Sequence, residues 1–315
     1  MKKSTVCLLA ALLCLTLAAC AGEIPEDTAA PDPVISGPVT SANPAPASQS
    51  LPVEEPDPEP VWTVGEITVS LLQSAYPAGT KRLTLIFDNA SDQELTYGEH
   101  FSCKKYEDGR WRDVDFLENT FFHDIAWAVS PGSSGMLKLG MDLLSEPLSE
   151  GLYRVTGGTM ITGEDGEKLP AWQVSFRVAS DAQPEPDYAL YISSRPVPTV
   201  RGCLVTDRLP VLFINTTGED GQVVDIPHLE KLREDGEWEN VPFRDGVGFC
   251  GTPDPLPTGG RVWSEDIPTL WGALEDGRYR LGYRVTPSGG TEQTIYGEFT
   301  IYTPEGSQGL PLASK

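Results

Sequence analysis

The side chains that could do chemistry are few and poorly spaced for it. Histidine occurs at His100, His123 and His228 only, and none falls in an HExxH or comparable ligand spacing. Beyond the first twenty residues the cysteines are Cys103, Cys203 and Cys250, with no CxxC pair, so a tetrahedral zinc site is not expected. His100 and Cys103 are close in sequence, but a strand puts residues three apart on opposite faces. The serines of "PGSSG" (131–135) do not form GxSxG, and the segment precedes a strand rather than a helix, so it reads as a turn and not a nucleophile elbow. No GxGxxG or P-loop pattern occurs. Acids are abundant, 46 against 23 bases. A surface hydrolase using paired carboxylates is therefore one competing reading. The two "GEDG" segments (163–166 and 218–221) read as solvated turns and lack the ligand ladder of a calcium loop. The expectation is no catalysis, no cofactor and no metal.

The elements that must position these residues come twice. "RLTLIFDNAS" (82–91) returns as "RLPVLFINTT" (208–217), "KYEDGRWRDVDF" (105–116) as "KLREDGEWENVPF" (231–243), and "EGLYRV" (150–155) as "DGRYRL" (276–281). The offset is 126 or 127 throughout: Phe87 with Phe213, Trp111 with Trp238, Tyr153 with Tyr279. A unit of about 115 residues is too long for a solenoid repeat and right for a domain. The shared aromatics Phe87, Phe213, Trp111, Trp238, Tyr153 and Tyr279 are expected to build the common core.

Each unit reads as all-β. Short β-rich runs alternate with turn signals such as Asp108-Gly109. Helical periodicity is confined to single turns near 142–148 and 269–274. Roughly seven short strands per unit point to a sandwich of the immunoglobulin type. Tyr153 and Tyr279, each just after an acid–glycine corner, suit the buried corner tyrosine of such folds. The expected organisation is a leader at 1–19, a lipidated N-terminus with a disordered Pro/acidic linker at 20–60, sandwiches at 61–179 and 187–303, and a tail at 304–315. The proline-bearing join "ASDAQPEPD" (179–187) predicts restricted motion between them.

The pattern of strand, asparagine, DGxW, PG and GxYR in both units resembles bacterial immunoglobulin-like domains of Gram-positive surface lipoproteins. That resemblance implies fold and location, since its motifs describe a scaffold. Val224-Asp225 departs from Tyr97-Gly98 at the matching place, which predicts a differently bent strand. A weaker resemblance, to the small β-sandwich proteinase-inhibitor domain of bacilli, implies a peptidase inhibitor as a further alternative.

The N-terminus supports the same location. Lys2 and Lys3 precede an apolar run that ends in Leu17-Ala18-Ala19-Cys20. The run is short for a spanning helix and reads as a secretory leader. The ending resembles the bacterial lipoprotein signal, which implies lipidation of Cys20 and anchoring at the extracytoplasmic face of the cell membrane. Residues 21–60 hold ten prolines and eight acids with no base and no aromatic, too little apolar surface to offset ordering entropy. The formal charge is −23, which argues against nucleic acid, whose binding needs cations to displace phosphate counterions.

Two local expectations complete the reading. Cys103 falls opposite apolar Leu229 and is expected to be a small buried hydrophobe, whereas Cys203 and Cys250 form a candidate disulfide. Where the copies differ, "NTFFHDIAWAV" (119–129) inserts Phe121, Phe122, His123 and Trp127. These form the candidate surface for an unknown protein or glycan ligand, or they close the end of the sandwich. The favoured function is a membrane-anchored, non-catalytic binding or structural module of the cell envelope.

Overall fold

Runs of β-branched and aromatic residues, punctuated by glycine and proline, form strands along nearly the whole of the computed structural model, which describes residues 55–161, 169–193, 195, 197–200, 203–204 and 208–305. Cys20, the leader, most of the linker, the first "GEDG" and the end of the tail lie outside the described residues. The first copy contains β1 (Val61–Val64), β2 (Ile67–Leu71), β3 (Ala75–Tyr76), β4 (Arg82–Asn89), β5 (Leu95–Glu107), β6 (Arg110–Val114), β7 (Ala126–Val129), β8 (Ser133–Gly140), β9 (Gly151–Ile161) and β10 (Trp172–Val178). One sheet runs β1-β2-β4-β8; the other runs β3-β10-β9-β5-β6, with β7 also on β5.

The second copy repeats this with β11 (Tyr188–Tyr191), β12 (Val197–Val200), β13 (Cys203–Leu204), β14 (Leu209–Asn215), β15 (Gly221–Leu232), β16 (Trp238–Val241), β17 (Pro253–Leu256), β18 (Arg261–Glu265), the short helix α1 (Ile267–Trp271), β19 (Gly277–Thr286) and β20 (Gln293–Tyr302). Its sheets run β11-β14-β18 and β13-β12-β20-β19-β15-β16, with β17 on β15. In both copies an early strand pairs parallel with the last one, β3 with β10 and β12 with β20. The fold is all-β, two sandwiches of the immunoglobulin type.

Each sandwich closes over its own core. Phe87, Leu85 and Val69 meet Val155, Phe176 and Trp172 in the first; Phe213 and Val211 meet Leu229, Tyr279 and Tyr283 in the second. Each such side chain contributes about 1.5–3 kcal/mol by leaving water. The corner tyrosines behave as expected. The Ser149 N–H donates to Tyr153 Oη at 3.1 Å, and Tyr279 Oη donates to the Glu275 carbonyl at 2.8 Å. A second duplicated device is the asparagine that ends β4 and β14. Asn89 Nδ2 donates to the carbonyls of Gln93 (2.8 Å) and Val129 (3.0 Å), and Asn215 Nδ2 to those of Glu219 (2.9 Å) and Leu256 (3.2 Å). Each amide clasps the strand that closes the end of its sandwich.

Four expectations need correction. Trp111 and Trp238 are not in the core. They lie half-buried on the outer sheet face, beneath the guanidinium groups of Arg154 (4.1 Å) and Arg280 (4.6 Å). The sequence repeat preserved a cation–aromatic stack there, not a core contact. The DGxW hairpins also differ. Asp108 and Gly109 both take positive φ (52° and 78°), the twist of a two-residue hairpin turn. Only Gly236 does so in the second copy (86°), which closes a longer loop through Arg233 N–H to the Glu237 carbonyl at 2.9 Å. The bend in β5 and β15 is shared despite the sequence departure, with register shifts between Tyr97 and Phe101 and between Val224 and His228. Finally, residues 55–60 are tied to the first sandwich. Glu59 exchanges hydrogen bonds with Ser175, and Glu55 pairs with Arg177 at 2.7 Å.

The outer face of β4 is buried as well. Ile86 packs with Leu212 and Ile214 of the second sandwich, flanked by Met136 and Tyr191. Polar bonds frame this contact: Lys138 Nζ donates to the Asn215 carbonyl at 2.7 Å, and Ser193 Oγ donates to Asp88 at 2.5 Å. The join is held too, because Glu185 accepts from the Thr84 N–H and hydroxyl (both 2.7 Å) and from Tyr76 Oη. Restricted motion follows from these bonds rather than from proline stiffness alone.

Candidate binding surface

The first-copy insertion forms the connection from β6 to β7, and local bonds hold it in one shape. Asn119 turns it with φ 64°. The Thr120 N–H and hydroxyl both donate to the Leu117 carbonyl. Phe122 folds inward against Phe101 (5.5 Å), Phe116 (5.3 Å) and His100 (4.9 Å). Trp127, on β7, stacks on Tyr97 at 6.0 Å, and Tyr97 on Phe87 at 4.0 Å. His123 is clamped to the β5 bulge, its N–H and ring Nδ1 both meeting Glu99 Oε2 (3.3 and 3.1 Å).

The four expected surface residues therefore divide. Phe122 and Trp127 hold the loop and close the sandwich end. His123 is exposed but tied to Glu99. Phe121 alone stands free of the core at 83% exposure. Leu117 and Ile125, which the sequence reading did not single out, join it as exposed apolar groups on the same connection. The signal that could have found them is the apolar count of 116–125 without a strand alternation to bury it. In the second copy Phe249 packs on Phe243 and Phe243 stacks on Trp271, whose indole donates to the Val241 carbonyl. No large apolar side chain of that loop is among the exposed ones.

Beside this loop a pocket of about 440 Å³ opens on the sheet, lined by Tyr97, Gly98, His123, Ile125, Gly158 and Leu169 among others. Its floor is bare. A Cβ at Gly158 would meet nothing within 4 Å, and one at Gly98 only the Ile125 carbonyl at 3.6 Å. At the repeat offset, Gly158 corresponds to Arg284, which stands out from β19 and pairs with Glu292 at 3.3 Å. The neighbouring row of the second copy is also filled, with the His228 ring lying over Gly282 and edge-on to Tyr296. Burial pushes the His228 imidazole below its usual range.

The remaining chemistry is structural. Cys103 is buried, and burial pushes its thiol up to about 12, as an inert hydrophobe requires. The Cys203–Cys250 bond is not formed: Cys250 is a free, exposed thiol. Cys203 lies in β13 and Cys250 in the connection from β16 to β17. Among the described residues no three His, Cys, Asp or Glu side chains converge as a metal site. Two of the acids of the polar pocket near Lys105 are paired with cations, Asp113 with Lys104 at 3.1 Å and Glu107 with Lys105 at 3.2 Å.

A family model agrees with the architecture of the first copy. Residues 64–166 match the family model described as a bacterial Ig-like domain. No curated protein matches the chain. Among solved structures, the CupB2 chaperone of Pseudomonas aeruginosa is 14% identical, with 71% of this chain and 96% of that one covered and a TM-score of 0.21. The CsuC–CsuE chaperone–tip adhesion subunit complex of Acinetobacter baumannii is 10% identical, covering 76% and 100%, with a TM-score of 0.27. A tetra-tandem repeat of a large adhesion protein is 14% identical, covering 76% and 49%, at 0.21. At these scores the likeness carries no argument.

Proposed function

We propose that this chain is a non-catalytic binding module of the cell envelope, held at the extracytoplasmic face of the membrane by a lipid on Cys20 and presenting its ligand site on the first sandwich. The observation that carries the reading is the ordered β6–β7 connection, which exposes Leu117, Phe121 and Ile125 and gives Ile125 to the wall of an apolar pocket. Exposed aromatic anchors on a rigid frame are what protein recognition uses. The Ig-like scaffold supports binding or structural work, and the leader ending in Cys20 supports the anchor.

Crosslinking and capture from envelope extract with the full chain tests the first part. A partner captured by wild type and lost on Phe121→Asp is expected; capture indifferent to that change refutes the site. Cys20→Ala tests the anchor by releasing the protein from the membrane fraction, and retention there refutes it. An exposed phenylalanine on an ordered loop also suits the peptidase-inhibitor alternative. Phe121-dependent inhibition of an extracellular peptidase is the outcome that would favour it.

A further inference from the structure

We infer that the pocket over Gly158 receives one apolar or aromatic side chain from a basic polypeptide segment; this deepens the binding-module reading and rests on it. The shape is suited to a side chain. Ile125, Leu169 and Ala171 give apolar walls, and Gly98 and Gly158 leave the floor without side chains. Such a recess desolvates an inserted anchor while its neighbours stay on the rim, the arrangement in which single residues dominate binding.

Charge selects the partner's flanks. Neither residues 115–126 nor the described pocket lining contains a lysine or arginine, whereas Asp124 lines the pocket and Glu99 holds His123 at its edge. The chain as a whole carries −23. An acidic partner is repelled here, and a basic one gains both association rate and specificity. A neutral glycan would need a dense set of polar partners, and the mainly apolar walls do not offer it. The site is also preorganised, because Glu99 clamps His123 and Phe122 is locked among Phe101, Phe116 and His100. Little ordering entropy then remains to be lost on binding. In the second copy the corresponding position is occupied by the chain's own Arg284, so the inference applies to the first copy alone.

The test uses the full chain and fluorescein-labelled nonapeptides. Each has a central Trp, Leu or Ala between paired lysines, with a matching set carrying glutamates. Trp- or Leu-centred lysine peptides are expected to bind about ten-fold or more tightly than the Ala-centred one, and glutamate peptides not to bind. Gly158→Leu should fill the recess and weaken binding about ten-fold with unchanged secondary structure. Phe121→Ala, on a fully solvated side chain that folding does not need, should weaken it by about three-fold or more. Equal affinity for Trp and Ala centres overturns the inference, because it reduces binding to net charge. Binding indifferent to both variants overturns it, as does a neutral glycan that competes at the site. A self-associated chain dissociated by Gly158→Leu overturns it in favour of a second copy. If the peptides fail while Phe121-dependent capture of an envelope protein persists, this inference falls and the binding-module reading stands.

Discussion

Asn89→Ala is expected to cost far more than its size suggests. The amide is 0% exposed. It donates to the Gln93 and Val129 carbonyls at 2.8 and 3.0 Å, and its oxygen accepts from the Ser91 N–H and hydroxyl at 3.2 and 2.6 Å. Ser91 and Gln93 lie near solvent and can turn to water. Val129 is buried, so its carbonyl loses a partner that water cannot replace. One such orphan costs about 1–3 kcal/mol, and the lost loop bonds add about 0.5–1.5 kcal/mol. The expected loss is thus roughly 2–4 kcal/mol by the same scale, or a fall in melting temperature of about 4–16 °C at the sensitivity of chains this long. Urea denaturation and calorimetry provide the assay. Asn89→Asp sharpens it: a carboxylate cannot donate and would face two carbonyl oxygens, so it should be at least as damaging as alanine. Because the bonds recur at Asn215, Asn215→Ala should lie within about 1 kcal/mol of Asn89→Ala. A cost below about 0.5 kcal/mol, or a tolerated aspartate, would refute the clasp.

The other predictions test the corrected placements. Trp172→Ala should cost about 3–5 kcal/mol as a core deletion, whereas Trp111→Ala, which loses mainly an exposed stack on Arg154, should cost about 1 kcal/mol, read by urea unfolding. Glu265 is buried against Tyr283, and burial holds its carboxyl above the usual glutamate range. A raised folded pKa means that folding favours the protonated form, so this group's stabilisation is present at low pH and lost as pH rises through the folded value. Glu265→Gln should therefore gain stability relative to wild type as pH rises from about 4.3 toward neutrality, and a pH-independent difference would contradict the assignment. Under native conditions iodoacetamide should modify Cys250 and spare Cys103 until unfolding, as peptide mapping reads; protection of Cys250 without reductant would reinstate a disulfide.

Much of the scaffold was legible because its signals are local or repeated. Turn chemistry at Asp108-Gly109, the corner tyrosines and the apolar match of Cys103 to Leu229 depend on neighbours along the chain or on the other copy. The sandwich follows from them. The tryptophans were misplaced for an identifiable reason. Recurrence reports that an interaction is preserved, and an Arg–Trp stack on an outer face is preserved as readily as a core contact. The candidate surface was legible as a segment but not as a geometry. "FFHDIAW" names the loop, while only packing against Phe101 and Phe116 turns Phe122 inward and leaves Phe121 out.

By itself, the sequence determined a duplicated all-β chain and the corner tyrosines and strand phenylalanines shared by its cores, because strand period, glycine turns and internal repetition are read within a few residues or across one offset. Tertiary structure alone decided that β4 is covered on both faces. Alternation separates Ile86 from Phe87 but does not say that Leu212 and Ile214 will cover Ile86, since that contact joins residues more than a hundred positions apart. It also decided that Gly158 has open space above it while Arg284 stands at the matching place. A pocket is defined by what the surrounding strands and loops leave empty, and no single segment encodes that.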